Sequence, residues 1–214
     1  MKLFRRGMPT QPPNHTAAYG SPRTDVAVLD PALQELTGEW IIDPAHSRIG
    51  FSVRHAMVTT VRGSFTEYQS RLFFDGRDPS RSRAEVVIST ASVDTGVGQR
   101  DAHLVGRDFF DADNYPQMRF VSTEVQPISS DTYRMAGNLT IKDMTRPVVL
   151  EMTYIGHVLD PFGYQRAGFD GTTTIDRSDW GLTYNSKLAE GGSMVSEKVR
   201  LQFDIAAIRN APPN

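Results

Sequence analysis

From Gly38 onward, apolar and polar residues alternate in one run after another, and a turn signal falls about every ten residues. A period of two puts every second side chain on one face, so each run reads as a strand with a core face and a water face. In RIGFSVRH (48–55), Ile49, Phe51 and Val53 share one face, while Arg48, Ser52 and Arg54 take the other. In the last run, Val199, Leu201, Phe203 and Ile205 alternate with Lys198, Arg200, Gln202 and Asp204. Strand patterns also cover 118–125, 132–142, 147–157, 165–176 and 194–206, with turns signalled at Asp43-Pro44 and Asp75-Gly76. IKDMTRPVV (141–149) reads as a hairpin, with Pro147 near the start of its second strand, where a missing N–H is tolerable. One segment, VGQRDAHLVGRDFFDA (97–112), breaks the rhythm and reads as a short helical insert.

Many strands with one helical break predict an antiparallel all-β fold, a sandwich or a closed up-and-down barrel of about eight strands. The barrel is preferred because it removes the exposed edges that so many strands would leave. No Pro/Gly/Ser-rich linker interrupts residues 38–208, which argues for one domain over residues 37–209. Residues 1–36 are rich in Pro, Gly, Ser, Thr and Asn and read as a flexible tail, with one short helical turn around Pro31–Leu36. Residues 210–214 read as a short C-terminal tail.

The chain has no cysteine, which excludes disulfides, thiolate nucleophiles and Cys-based metal sites. A net charge of -2 gives no sign of a nucleic-acid or anionic-membrane partner. Arg5-Arg6 is followed at once by Gly7, Pro9, Pro12 and Pro13 rather than by an apolar stretch, and no later segment reaches the roughly 18 apolar residues of a membrane span. The expected location is cytoplasmic, with no stable membrane insertion.

Against this pattern His55 stands out. The period of two places it on the apolar face of Ile49, Phe51 and Val53, so it is either a satisfied core histidine or a polar group at the mouth of an apolar cavity. Three further polar clusters accompany it. Asp43, His46 and Ser47 precede the same strand. Arg100, His103 and Arg107 fall on one stripe if 97–112 is helical. Arg177 and Asp179 lie in DRSDWG (176–181). Each has a plain structural reading as well: a turn with its cap, a solvated helix face, and a turn closed by a surface ion pair. His46, His55 and His103 lack the close spacing of a zinc site, so no metal is expected. No phosphate-cradling glycine loop or nucleophile elbow is present.

Read in order, these pieces form a set: W-x-I-D-P-A-H-S at 40–47, F-S-V-R-H at 51–55, Gly63-x-Phe65, R-D-A-H-L at 100–104 and D-F-F-D at 108–111. Y-P-x-M-x-F at 115–120, G-N-L-T-I at 137–141, T-R-P-V at 145–148 and D-R-S-D-W-G at 176–181 complete it. The set resembles the YceI-like family of lipocalin-like, polyisoprenoid-binding proteins over residues 40–207. The resemblance implies a barrel around a long apolar tunnel that holds an isoprenoid chain, such as a polyprenyl phosphate or a quinone tail. The preferred reading is a carrier or binding protein for such a lipid, with the lipid in place of a cofactor; a homodimer is left open.

The apolar strand faces supply the expected lining: Phe51, Val53, Phe65, Phe120, Leu139, Leu201 and Phe203, with Phe109 and Phe110 closing one end. Joined to the resemblance, the polar clusters put His46, His55, Arg100, His103, Arg177 and Asp179 near the head group. The alternative is an enzyme acting on such a lipid, with His103 or His46 as acid–base group and Asp179 as its orienting partner.

Overall fold

A computed structural model describes residues 31–187 and 191–209. Its strands are β1 (Gly38–Ile42), β2 (Arg48–His55), β3 (Thr59–Phe65), β4 (Tyr68–Phe74), β5 (Arg83–Ser89), β6 (Val93–Asp94), β7 (Gln117–Pro127), β8 (Thr132–Ile141), β9 (Met144–Leu159), β10 (Gln165–Asp176) and β11 (Val195–Arg209). Every pairing is antiparallel, and the ring β1-β4-β5-β7-β8-β9-β10-β11 closes because β1 also pairs with β11. This is the up-and-down, eight-stranded barrel that the alternation predicts.

The β2–β3 hairpin extends that wall rather than adding a layer. Ile42 pairs with Ala207 and Arg48 pairs with Asp204, so β1 and β2 lie one after the other against the same edge of β11. Phe65 of β3 faces Ile49, and Leu72 of β4 faces Trp40, so β3 and β4 succeed each other in the same way. The chain between β1 and β2 bulges out at 43–47, where the Ser47 hydroxyl accepts a hydrogen bond from the Ala206 amide at 2.9 Å.

The hairpin expected at 141–149 is β8–β9. Ile141 pairs with Met144 across a two-residue turn in which Lys142 takes a positive φ of 55°. Pro147 sits opposite Asn138 in that ladder. Register shifts at Ser122/Glu124 and Gly168/Phe169 bend the long strands, which increases local twist as a closed wall requires. The inward side chains form one continuous core. At its two ends stand Trp40, whose Nε1 donates to the Leu36 carbonyl at 2.8 Å, and Trp180, whose Nε1 donates to the Leu139 carbonyl at 3.0 Å.

Two expectations need correction. The helix in the 97–112 insert, α1, is limited to Gly98–Val105. Gly106 takes extended angles, φ −70° and ψ 177°, and the chain from there to Ala112 folds in turns. Arg107 therefore lies beyond the helix and is exposed, so the Arg100/His103/Arg107 stripe does not form. The expected tail also ends too late. Pro31–Leu36 is a 3-10 helix that belongs to the fold, with Leu33 and Leu36 only 5% and 4% exposed. Its backbone lies directly on Gly76, and Arg209 donates to the carbonyls of Glu35 and Thr37, both at 2.8 Å. The remainder of the tail, residues 1–30, and the C-terminal residues 210–214 lie outside the described residues.

Candidate functional site

Inside the barrel is an elongated cavity of about 290 Å³. Along β11 its wall runs from Val195 to Ile205, which is about 33 Å of strand, or roughly 25 Å along the axis at an ordinary barrel tilt. Leu33 and Leu36 of the 3-10 helix, together with Gly76 and Pro79, line one end. Leu104 of α1, Phe109, Phe110 and Leu182 line the other end. Phe110 meets Phe65 edge-on at 5.7 Å, and Phe65 leans on Phe51 at 5.8 Å, so the aromatic cover continues into the wall.

All nine residues expected as lining border this cavity: Phe51, Val53, Phe65, Phe109, Phe110, Phe120, Leu139, Leu201 and Phe203. Strand period alone assigns seven of them, because inward and outward faces alternate on every strand of a barrel.

The six residues expected at the head group do not gather. His46 lies two residues before β2 and His55 is its last residue, so about 23 Å of strand stands between them, and the three histidines 46, 55 and 103 do not converge. His46 is largely exposed on the outside, its Nδ1 2.7 Å from Asp43 Oδ2. His55 is half-buried at the last pair of β2, opposite Val195, which lines the cavity, but His55 itself stands just past the wall. Arg100 is bound to Thr95, through Nε to the hydroxyl at 2.7 Å and through Nη2 to the carbonyl at 3.0 Å. His103 Nε2 is 2.8 Å from Asp108 Oδ2, and its ring meets Phe109 and Tyr184 edge-on at 5.2 and 4.9 Å. Asp179 is exposed on a 3-10 turn, Arg177–Trp180, that Asp176 caps by accepting from Ser178. That capping holds the Asp176 carboxyl below the usual carboxylate range.

Arg177 alone of the six borders the cavity, and it is 4% exposed. It works as a clasp. Its guanidinium donates to the carbonyls of Ser196, Leu182, Tyr184 and Val195 and to the Glu197 carboxylate, tying the 182–184 segment to the start of β11.

Sequence reading missed two features. Asp75, read only as part of a turn, borders the cavity at the opposite end from Arg177. Its Oδ1 accepts the amides of Asp78 at 3.0 Å and Arg77 at 3.1 Å, and Arg81 stands 3.3 Å from Oδ2. Led by the Asp78 amide, these donors keep its carboxyl below the ordinary value. Arg166 bridges Asp43 at 2.6 Å and Asp160 at 2.7 Å on the outside of the wall. Burial pushes the Asp43 carboxyl up, but the hydrogen bonds from Arg166, His46 and the Ala45 amide outweigh it and hold it low. Asp43 and Arg166 are 123 residues apart, and no local pattern marks such a pair.

The YceI-like domain family matches residues 40–207. Among similar curated proteins, a UPF0312 protein of Pseudomonas fluorescens is 36% identical over 155 residues, covering 69% of this chain and 78% of that protein. Among solved structures, BcnA of Burkholderia cenocepacia superposes with a TM-score of 0.68 at 27% identity, covering 77% of this chain and 98% of BcnA. A domain from Saccharophagus degradans, described as polyisoprenoid binding, shares the fold with a TM-score of 0.57 at 13% identity, covering 79% of this chain and 98% of that domain.

Proposed function

The chain belongs to the YceI-like family, and from that premise we propose that it binds and carries a polyisoprenoid lipid in the barrel cavity. The observation that carries the proposal is the shape and chemistry of the cavity. It is long, narrow and walled by carbon, with two charged residues among the described ones on its border, one near each end. A branched hydrocarbon chain gains roughly 25 cal/mol for each Å² of apolar surface removed from water, and an elongated cavity of this kind lets the whole chain contribute. The related fold described as a polyisoprenoid binding domain supports the same ligand class.

Binding without catalysis is the reading that the polar residues favour. As an acid–base pair, His103 or His46 would need Asp179 as its orienting partner. Instead His103 meets Asp108, His46 meets Asp43, and none of these four side chains borders the cavity. A carrier needs no bond-breaking group inside the tunnel, only a surface matched to the chain.

The test is to purify the full-length protein from its own host, extract it with organic solvent and identify the released lipid by mass spectrometry. A stoichiometric polyisoprenoid is expected, together with uptake of a labelled polyprenol by the delipidated protein. Recovery of straight-chain fatty acids or phospholipids alone, with no polyprenol uptake, would overturn the proposal.

A further inference from the structure

We infer that whatever part of a ligand lies inside the barrel carries no charge, so that an anionic head group adds nothing to affinity; this rests on the lipid-binding reading above and narrows it. Among the described residues two charged side chains border the cavity, and of these Arg177 is the cation. A guanidinium has five N–H donors and no more. Those of Arg177 are matched by five acceptors: the carbonyls of Ser196 at 3.0 Å, Leu182, Tyr184 at 2.9 Å and Val195 at 3.5 Å, and the Glu197 carboxylate at 3.1 Å. To hold a phosphate, Arg177 would have to release the segment 182–184 from the start of β11, and Glu197 would be left facing the incoming anion.

The opposite end is no better suited. Asp75 is an acceptor already satisfied by two amides and Arg81, and its own negative charge opposes a phosphate. The other cations discussed above are engaged or outside. Arg100 is tied to Thr95, Arg107 is exposed beyond α1, and Arg166 is held between two carboxylates on the outer side. Among the described residues, the cavity wall thus has no uncommitted cation to offset an anion. Moving an unpaired anion from water into a carbon-lined space is heavily disfavoured. A ligand with a neutral head, such as a polyprenol or a quinone, brings no unpaired charge into the cavity. A phosphorylated one enters by its tail and leaves its phosphate in water, where salt screens it.

The experiment compares a polyprenol with its monophosphate of equal chain length, each competing against the labelled polyprenol for delipidated full-length protein, at low and at high salt. The alcohol is expected to bind as tightly as the phosphate or more tightly, with a ratio that salt does not change. If the phosphate bound more than about threefold tighter, the inference would fall; a charge-assisted contact would give that gain and would fade as salt rose. In that event lipid binding would stand and only the uncharged-ligand inference would fail. If neither compound bound, both would go.

Discussion

The ring of Phe120 lies over the backbone of Gly137, diagonally across the β7–β8 pair. A methyl group at 137 would overlap two of its ring carbons and stand 2.7 Å from the Val121 carbonyl oxygen. The same device recurs at Gly63, where a methyl would meet Phe51 and would come within 2.8 Å of Thr95. Large rings flattened onto glycine backbone let the wall carry aromatic surface without filling the tunnel, which is why an interior so rich in phenylalanine still encloses a cavity.

Gly137→Ala is therefore expected to destabilise the barrel by about 1–3 kcal/mol, the usual cost of overpacking. It should also push the Phe120 ring into the tunnel and lower polyprenol affinity. Chemical denaturation and ligand titration of the same variant check both effects. Unchanged stability would show that the ring has room to move aside.

The 3-10 helix Pro31–Leu36 packs two buried leucines at one end of the barrel. Leu36→Ala should cost about 2–4 kcal/mol, as truncation of a buried leucine generally does. Deletion of residues 1–36 should lower the melting temperature markedly, because it removes Leu33 and Leu36 from the core and the Leu36 carbonyl from Trp40. A truncated protein melting like the full chain would show that this end is sealed without them.

Asp43 and Asp160 both have carboxyls held below their ordinary values. In each, burial acts upward and the hydrogen bond from Arg166 leads the opposing effects. A carboxyl whose folded-state pKa is lowered contributes stability that is fully present above its unfolded value, about 3.9, and is lost as pH falls toward the folded value. Stability should thus decline below about pH 4. Arg166→Gln should lower stability at pH 7 and shrink the difference between pH 7 and acid. Melting temperatures across pH for both proteins give the comparison, and curves that merely run parallel would contradict the bridging role of Arg166.

His103 binds Asp108 and packs against Phe109 and Tyr184 at the α1 end, without bordering the cavity. His103→Leu should therefore change the affinities for a polyprenol and for a bare hydrocarbon of equal length by the same factor. A selective loss for the polyprenol would return His103 to the head-group role that the sequence alone suggested.

Period-two alternation was sufficient to find the strands, the all-β class and the inward faces, because in a barrel a residue's face follows from its parity along the strand. The order of short motifs was sufficient to find the family. Phe51, Leu139 and Phe203 needed no tertiary information. Arg177, His103 and His46 did. A polar residue's role depends on which acceptors the fold brings to it, and those of Arg177 come from segments that reach residue 197.

The sequence by itself determined an antiparallel all-β fold with an apolar inner face, since hydrophobic patterning is local and repeats along the chain, while closure rests on the long-range β1–β11 pairing. Tertiary structure decided what the polar groups do. It turned Arg177 into a clasp, placed Arg166 between Asp43 and Asp160, and set His46 and His55 at opposite ends of β2. The physical reason is that burial of carbon is non-directional and additive, whereas hydrogen bonds and ion pairs require particular partners at particular distances. The acceptors of Arg177 lie 5 to 20 residues away and are gathered by the turn that follows it, whereas Asp43 and Arg166, 123 residues apart, meet only when the barrel closes.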